Sequence, residues 1–394
     1  MSSSQYLPPE LQEAIETIIK NEDFTAFNID VKKVEKINSY VGVYREINIK
    51  GENKNGHKEL QLFTKTIPDK TYIEASALSA ICSITDAFKK ENFMYSEFRK
   101  TIDEVQEEAN IPLEERYTLV KSYASTDSDT IVMDNLEAKG FVIYPHQDVM
   151  PLKFAELAMQ RLAKFHSLTF ILKERRPKFF EEKVKILHHP VFYKKKSCRE
   201  FFDNLTQISL NFLSPCQKEK MVEFLPTTYD KYEKYLLDPA DTCTLVHGDY
   251  RPSNIMVQLK DGDAFEVMPI DYQSVFYGCS IFDLIWITIT STDQEFRKNH
   301  MEHLKNVYHE SMKEFLKLFN MDVEQYYPRA EFERLYKEKL PLGLMFALWF
   351  LPGHLTNNDD ILNKDFSASS FKKSDVFETR IRGIVDDYIQ WGYV

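Results

Sequence analysis

His247, Asp249 and Asn254 stand in the stretch LVHGDYRPSNIM, residues 245–256, between two apolar flanks. The spacing H-x-D-x-x-x-x-N lets one loop present a carboxylate and, one short turn later, an amide oxygen. The flanks read as a buried strand entering and another leaving, so the polar loop between them is held in a fixed place. Asp249 can accept or orient a hydroxyl proton. Asn254 can offer its carbonyl oxygen to a hard cation such as magnesium, which takes oxygen ligands. Further on, VMPIDYQ sets Asp271 at the end of another apolar run, where it reads as a second magnesium ligand. Two oxygen ligands from neighbouring strand ends are the means by which one class of phosphoryl-transfer enzymes holds metal and nucleotide. Asp and Asn are also ordinary turn residues. The apolar flanks, and the I-D-Y-Q that follows at hairpin distance, set this stretch apart from a chance turn.

A cation is the natural counterpart. LQLFTKTIP places Lys65 inside an apolar strand. Such a lysine is usually solvated on the polar face, and the alternation here permits that. What raises its interest is a partner. The following helix carries an apolar stripe at Ile81, Ile84, Phe88, Tyr95, Phe98 and Ile102, and Glu91 fills the gap between Phe88 and Tyr95. A carboxylate on a buried face must be paired, and Lys65 is the obvious partner. A strand lysine held by a helix glutamate is the pair that grips the α- and β-phosphates in kinases. Glu97, one residue off the stripe, is the weaker candidate. Asp283, in SIFDLIWITIT, reads equally as a helix N-cap or as a group that hydrogen-bonds the backbone of the 245–256 loop. His166 reads as a hydrogen-bonded core histidine, and His188 and His189 have no partners at metal-ligand spacing.

Several elements must position these groups. YVGVYREINIK (40–50) and HKELQLFTKTI (57–67) read as strands after a short helix, joined by the turn-rich GENKNG (51–56). A helix spans roughly 71–108, and YTLVKSY, DTIVMDNL and GFVIYP read as further short strands. From Leu152 the pattern turns helical, interrupted by a strand-rich insert around the quoted loop and FEVMPIDYQ. The reading is α+β, with residues 1–135 as a strand-rich part and 136–394 as a mainly helical part. The apolar LPLGLMFALWFLP near Leu340 is too short to span a bilayer and reads as a buried core helix.

Composition narrows the classes. The chain has 394 residues with 50 Lys+Arg against 61 Asp+Glu, a net charge of -11, and no basic stripe, which argues against nucleic acid as a partner. Its 5 cysteines are widely spaced without C-x-x-C, which favours a reducing compartment over a disulfide or zinc scaffold. With no signal-like N-terminus, the expectation is a cytoplasmic protein without membrane insertion or an evident obligate protein partner. No two glycines are two apart and none precedes a lysine, so the dinucleotide G-x-G-x-x-G and the G-K-[ST] phosphate loop are excluded. A hairpin over a nucleotide would be INSYVGVYRE, whose only glycine is Gly42 and whose Ser39 and Tyr40 amides can approach phosphate.

The segments FTKTIP, FKKENFMY, IVMDNLEAKGF, LAKFHS, LVHGDYRPSNIM, IDYQ and SIFDL, in this order, resemble the ecdysteroid kinase-like family of insects. That family belongs with choline kinases and aminoglycoside phosphotransferases. The resemblance implies a two-lobed, protein-kinase-like fold with ATP and Mg2+ in the cleft. It implies that Lys65 contacts nucleotide phosphates, that Glu91 holds Lys65, and that Met133, Asp134, Asn135 and Leu136 supply backbone contacts to adenine. It makes Asp249 the catalytic base and Asn254 and Asp271 the magnesium ligands, with His247 bracing the loop. The nucleotide loop is poorer in glycine than the family's form, and MDNL stands where a more acidic hinge is usual. The implied activity is transfer of phosphate to a hydroxyl of a small molecule, a steroid or a xenobiotic. The acceptor would lie against the helical segments 151–241 and 291–394. A nucleotide-binding pseudokinase is the alternative. A protein kinase is disfavoured by the missing D-F-G and A-P-E signatures and by His-Gly-Asp where His-Arg-Asp is usual.

Overall fold

The computed structural model describes residues 7–34, 42–68, 83–123, 129–145, 148–189, 194–236, 242–356, 371–372 and 374–394. The chain opens with helix α1 (Pro9–Asn21), with proline in its first turn, where a missing N–H costs nothing. Leu11, Ala14, Ile15, Ile18 and Ile19 form one apolar stripe. The stripe packs on Ile47, Ile49, Leu62 and Val132 of the first sheet as a small core of its own. Burying Leu11, Ile15 and Ile18 contributes about 1.5–3 kcal/mol each.

That sheet has five antiparallel strands in the order β1-β2-β3-β5-β4: β1 (Ala26–Lys33), β2 (Val43–Asn53), β3 (Gly56–Thr66), β4 (Ser122–Tyr123) and β5 (Thr130–Asp134). The strands expected at 40–50 and 57–67 are β2 and β3. Their connection is tighter than GENKNG suggested. Asn53 pairs with Gly56, so only Lys54 and Asn55 make the turn, and Gly56 takes φ +105°, open to glycine without strain. β1, an edge strand with an almost fully exposed face pattern, was not anticipated. The strand expected over 117–123 shrinks to β4. Tyr117 is instead buried among the helices, its N–H donating to Gln106 Oε1 at 2.7 Å, which removes the need for a strand partner.

The helix expected over 71–108 is described from Ile84 onward. It comprises α2 (Ile84–Phe93), capped by Ser83 accepting from the Asp86 N–H, one π-helical turn (Met94–Phe98), and α3 (Arg99–Glu108). Ile84, Phe88, Glu91, Tyr95, Phe98 and Ile102 are all buried, as the stripe required, while Ile81 lies outside the described residues.

The remainder is mainly helical and shares one large apolar core. Its main helices are α4 (Leu152–Arg175), α5 (Lys196–Asn211), α6 (Ile281–Thr290), α7 (Gln294–Leu318), α8 (Pro341–His354) and α9 (Asp375–Gln390). α8 is the expected core helix, with Leu344–Leu348 fully buried. Two small sheets interrupt the helices: β6 (Phe141–Ile143) with β8 (Ile255–Lys260) and β9 (Asp263–Pro269), and β7 (Thr244–Val246) with β10 (Phe276–Gly278). The architecture is the α+β layout expected, a small antiparallel sheet followed by a mostly helical region. Among the described residues, no helix is long and apolar enough to cross a membrane, and Cys198, Cys216, Cys243 and Cys279 form no disulfide.

Candidate active site

Lys65 lies near the end of β3, opposite Tyr44 of β2 and Ile131 of β5. Its side chain is 3 % exposed. The ammonium donates to Glu91 Oε2 at 2.6 Å, Asp271 Oδ1 at 2.7 Å and Gln273 Oε1 at 2.9 Å, and lies 5.4 Å from the Phe88 ring centroid. All three ammonium hydrogens therefore have acceptors. Burial pulls the ammonium toward neutrality, but Asp271 and then Glu91 more than offset this and hold it well above its ordinary range. Two carboxylates sharing one ammonium leave excess negative charge. The strain falls on Glu91, whose carboxyl is pushed up chiefly by burial and then by Asp271, against the pull of Lys65. Glu97 pairs with Lys183 at 2.8 Å on the exposed side of the helix, which settles the choice between the two glutamates. Gly42 runs alongside: a Cβ there would stand 2.8 Å from Lys65 Cγ.

Asp271 follows β9 with φ +65°, a left-handed conformation that Asp tolerates better than most residues. Its N–H donates to the Tyr95 hydroxyl at 3.3 Å, so helix and loop share a hydrogen bond in addition to the Lys65 pair. One residue earlier, the Ile270 N–H donates to Asn254 O at 2.9 Å, and Ile270 O accepts from His247 Nε2 at 3.0 Å. The Asp249 loop and the Asp271 loop are thereby joined edge to edge, as continuations of paired β8 and β9. His247 braces this junction, as expected.

Within the first loop, Asn254 Nδ2 donates to Asp249 Oδ2 at 2.8 Å and to Asp249 O at 3.0 Å. This orients the amide and leaves its Oδ1 as the free acceptor. Arg251 Nε donates to Asp249 Oδ1 at 2.9 Å. Gly248 has φ +82°, and a Cβ there would meet Ser274 O at 2.4 Å, so the close approach of the two loops requires glycine.

Asp283 is not a helix cap. It is the third residue of α6, whose N-cap is Ser280. Its fully buried carboxylate accepts the His247 N–H at 2.7 Å and the Gly248 N–H at 2.9 Å. The local sequence suited both readings, and the turn of α6 toward the loop decides for backbone support. His166, fully buried, donates from Nε2 to Asp283 at 3.1 Å and accepts from the Tyr308 hydroxyl at Nδ1, 2.7 Å away. Burial holds this imidazole below its ordinary range, consistent with a neutral core histidine.

The hinge residues divide. The Asp134 and Asn135 N–H groups are taken by Lys121 O and Gln61 O, both at 2.9 Å. Asn135 Oδ1 caps the turn at Glu137 and Ala138, and the Asp134 carboxylate pairs with Lys139 and Tyr123. The two amides expected to reach adenine from Asp134 and Asn135 are thus already bonded. Met133 is paired between β3 and β4. Leu136 follows, its carbonyl accepting from Lys139 and Phe141. Ser39 and Tyr40 lie outside the described residues.

Gln273, Tyr95 and Arg251 all touch the cluster, and none was picked out as a site residue. In sequence Gln273 is simply the last residue of IDYQ, and its contact, like those of Tyr95 and Arg251, depends on the tertiary fold. Among the described residues, no group of three or more His, Cys, Asp or Glu could hold a metal by itself. Asn254 Oδ1 and the Asp271 carboxylate are hard oxygen donors of the kind magnesium takes, on two loops joined by the Ile270 N–H and the Asn254 carbonyl. A separate cavity of about 420 Å³, lined by Gln294, Thr379, Arg382 and Gly383 among others, shares no residue with this cluster.

The sequence model of the ecdysteroid kinase-like family matches residues 36–321, and the chain belongs to that family. None of the curated proteins matches it. Among solved structures, it is similar to an ethanolamine kinase of Plasmodium vivax at 12% identity, over 89% of this chain and 83% of that one, with TM-score 0.43. It is similar to spectinomycin phosphotransferase bound to AMP at 10% identity, over 94% and 97%, with TM-score 0.40. It is similar to a glucosamine kinase in complex with glucosamine, ADP and phosphate at 11% identity, over 89% and 82%, with TM-score 0.39.

Proposed function

We propose that this protein is an ATP-dependent phosphotransferase that moves the γ-phosphate of Mg-ATP to a hydroxyl of a small molecule, an ecdysteroid or a xenobiotic. The observation that carries this is the continuous contact from Glu91 through Lys65 to Asp271, and from the Asp271 loop through His247 and Asn254 to Asp249. A cation, two oxygen ligands and a candidate base share one cluster. Residues 1–135 act as the nucleotide-binding lobe and 136–394 as the catalytic and acceptor-binding lobe.

In this reading Lys65 takes nucleotide phosphates when they displace one of its present acceptors, and Glu91 keeps the ammonium in place. Asn254 Oδ1 and the Asp271 carboxylate hold magnesium, which when bound neutralises phosphate charge. Asp249 accepts the acceptor's hydroxyl proton. Asp283 and His247 fix the main chain that carries Asp249. Leu136 and its neighbours line the adenine side. The helical segments 151–241 and 291–394, rich in Phe, Tyr and Leu, form the acceptor wall, which suits an apolar ring system. The protein works in the cytoplasm.

The test is a panel of hydroxylated steroids and plant glycosides incubated with labelled ATP, magnesium and either wild type or Asp249→Asn. Label should pass to an acceptor only with wild type, with a loss of about 10²–10⁴-fold in the variant. The variant should still bind Mg-ADP by calorimetry. Equal turnover by both proteins removes Asp249 from the reaction. Nucleotide binding without transfer to any acceptor supports the pseudokinase alternative instead.

A further inference from the structure

We propose that Arg251 is a catalytic residue: its guanidinium holds Asp249 by one edge and presents the other to the phosphoryl group in transit. This rests on the phosphotransferase reading above.

Asp249 has two carboxylate oxygens, and each has one side-chain donor. Asn254 Nδ2 takes Oδ2 at 2.8 Å and Arg251 Nε takes Oδ1 at 2.9 Å. The Arg251 side chain is 28 % exposed and that of Asp249 17 %, so both reach the open side of the loop. Only Nε of Arg251 is engaged; among the described residues Nη1 and Nη2 donate to nothing. The main chain beneath is stiff. Arg251 is extended (φ −136°, ψ 161°) ahead of Pro252, and Pro252 and Asn254 are buried in a short 3-10 turn. A free guanidinium edge on a rigid base, beside the candidate base, is not needed to hold the loop together, because Asp283 and His247 already do so.

The charges call for it. Lys65, the other cation of the cluster, is saturated by three acceptors at the Glu91 and Asp271 end. At the Asp249 end, Arg251 is the cation in contact. In the transfer, the acceptor oxygen bonds to the γ-phosphorus while the bond from phosphorus to the bridging oxygen breaks. The electron pair leaves with ADP, and the acceptor's proton passes to Asp249. Negative charge spreads over the three equatorial oxygens meanwhile. A planar guanidinium matches two such oxygens and stays charged at any working pH. Its fixed position needs no reorganisation when the charge develops.

The experiment uses the full-length protein, with wild type, Arg251→Ala, Arg251→Lys and Asp249→Asn. Calorimetry gives the Kd for Mg-ADP, and steady-state kinetics give kcat and KM with the identified acceptor, or with water as acceptor in slow ATP hydrolysis. Arg251→Ala should lose about 10²–10³-fold in kcat, with Kd and KM within about threefold. Arg251→Lys should recover part of the loss. Millimolar guanidinium chloride should restore activity to Arg251→Ala but not to Asp249→Asn. A kcat for Arg251→Ala within about threefold of wild type overturns the proposal. So does a loss that neither lysine nor free guanidinium relieves, which marks a purely structural role. A wild type that neither binds nor turns over Mg-ATP overturns the phosphotransferase reading itself, whereas an active wild type with an indifferent Arg251 overturns this inference alone.

Discussion

Lys65 and Asp271 meet at 2.7 Å across 206 positions of sequence, with Glu91 on the other side of the same ammonium at 2.6 Å. The contact ties the first sheet to the loop after β9, and Lys65 and Glu91 are almost fully buried. Lys65→Met would leave the two carboxylates without a cation. Breaking such a buried pair costs about 3–5 kcal/mol, and the lower end is expected because Glu91 can take up a proton. The melting temperature should fall by about 5 °C or more. Adding Glu91→Gln to Lys65→Met should recover part of the loss, giving a coupling of about 1 kcal/mol or more in a double-mutant cycle. Strict additivity of the two single changes in thermal denaturation would show that the pair carries no such energy.

The same cluster makes stability depend on pH in a stated direction. Burial pushes the Glu91 carboxyl up to about 7 from its ordinary 4.5, with Lys65 opposing and Asp271 adding to the push. A carboxyl with a raised folded-state pKa holds its proton more tightly when folded. Its contribution is full below about pH 4.5, declines as pH rises, and is gone above about pH 7. Glu91→Gln abolishes that titration. Melting curves of the two proteins between pH 4.5 and pH 8 should converge at the acid end, with wild type losing ground as pH rises to about 7. Parallel curves across the whole range would place the titration elsewhere.

Asp283 holds the loop rather than reacting. Its carboxylate takes the His247 and Gly248 N–H groups at 2.7 and 2.9 Å, two residues and one residue before Asp249. Asp283→Ala leaves those donors and His166 without their acceptor, at a cost of about 1–3 kcal/mol for each unsatisfied group. The loop then loses its fixed placement. The expected result is a lower melting temperature and a kcat reduced about 10–100-fold, with the Kd for Mg-ADP changed little. Asp283→Asn keeps one acceptor oxygen and should fall between wild type and Ala on both measures. A Kd that collapses together with kcat would indicate that the nucleotide side also depends on Asp283.

Much of this site was legible because periodicity reports burial. The stripe on the helix after β3 marked Glu91 as buried, and a buried carboxylate required a cation, which Lys65 supplied. The apolar flanks around HGDYRPSN and IDYQ likewise marked two loops fixed by strands. What stayed hidden was direction. An aspartate near a helix start suits a cap or a long-range acceptor equally, and only the turn of α6 toward the loop assigns Asp283. The reach of Gln273 to Lys65, of Tyr95 to the Asp271 N–H and of Arg251 to Asp249 depends on rotamers and loop paths that spacing does not encode. The 117–123 segment misled for a related reason: its apolar residues are buried, but against helices, with the Gln106 side chain in place of a strand partner.

Gln273 offers the sharpest electrostatic test of the proposal that Lys65 takes nucleotide phosphate. Its Oε1 is the one neutral acceptor among the three on the ammonium, at 2.9 Å against 2.6 and 2.7 Å for the carboxylates. Charge-assisted hydrogen bonds are roughly twice as strong as neutral ones, so an arriving phosphate displaces Gln273 most easily. Gln273→Ala removes a competitor that was already weak, and the Kd for Mg-ADP should stay within about threefold of wild type. Gln273→Glu surrounds Lys65 with three carboxylates, makes release costly and repels phosphate. At saturating magnesium its Kd should rise about tenfold or more, and less so at high ionic strength if part of the effect is screened. A tighter complex in Gln273→Glu, steepening with magnesium concentration, would mean that this position faces the metal rather than the ammonium.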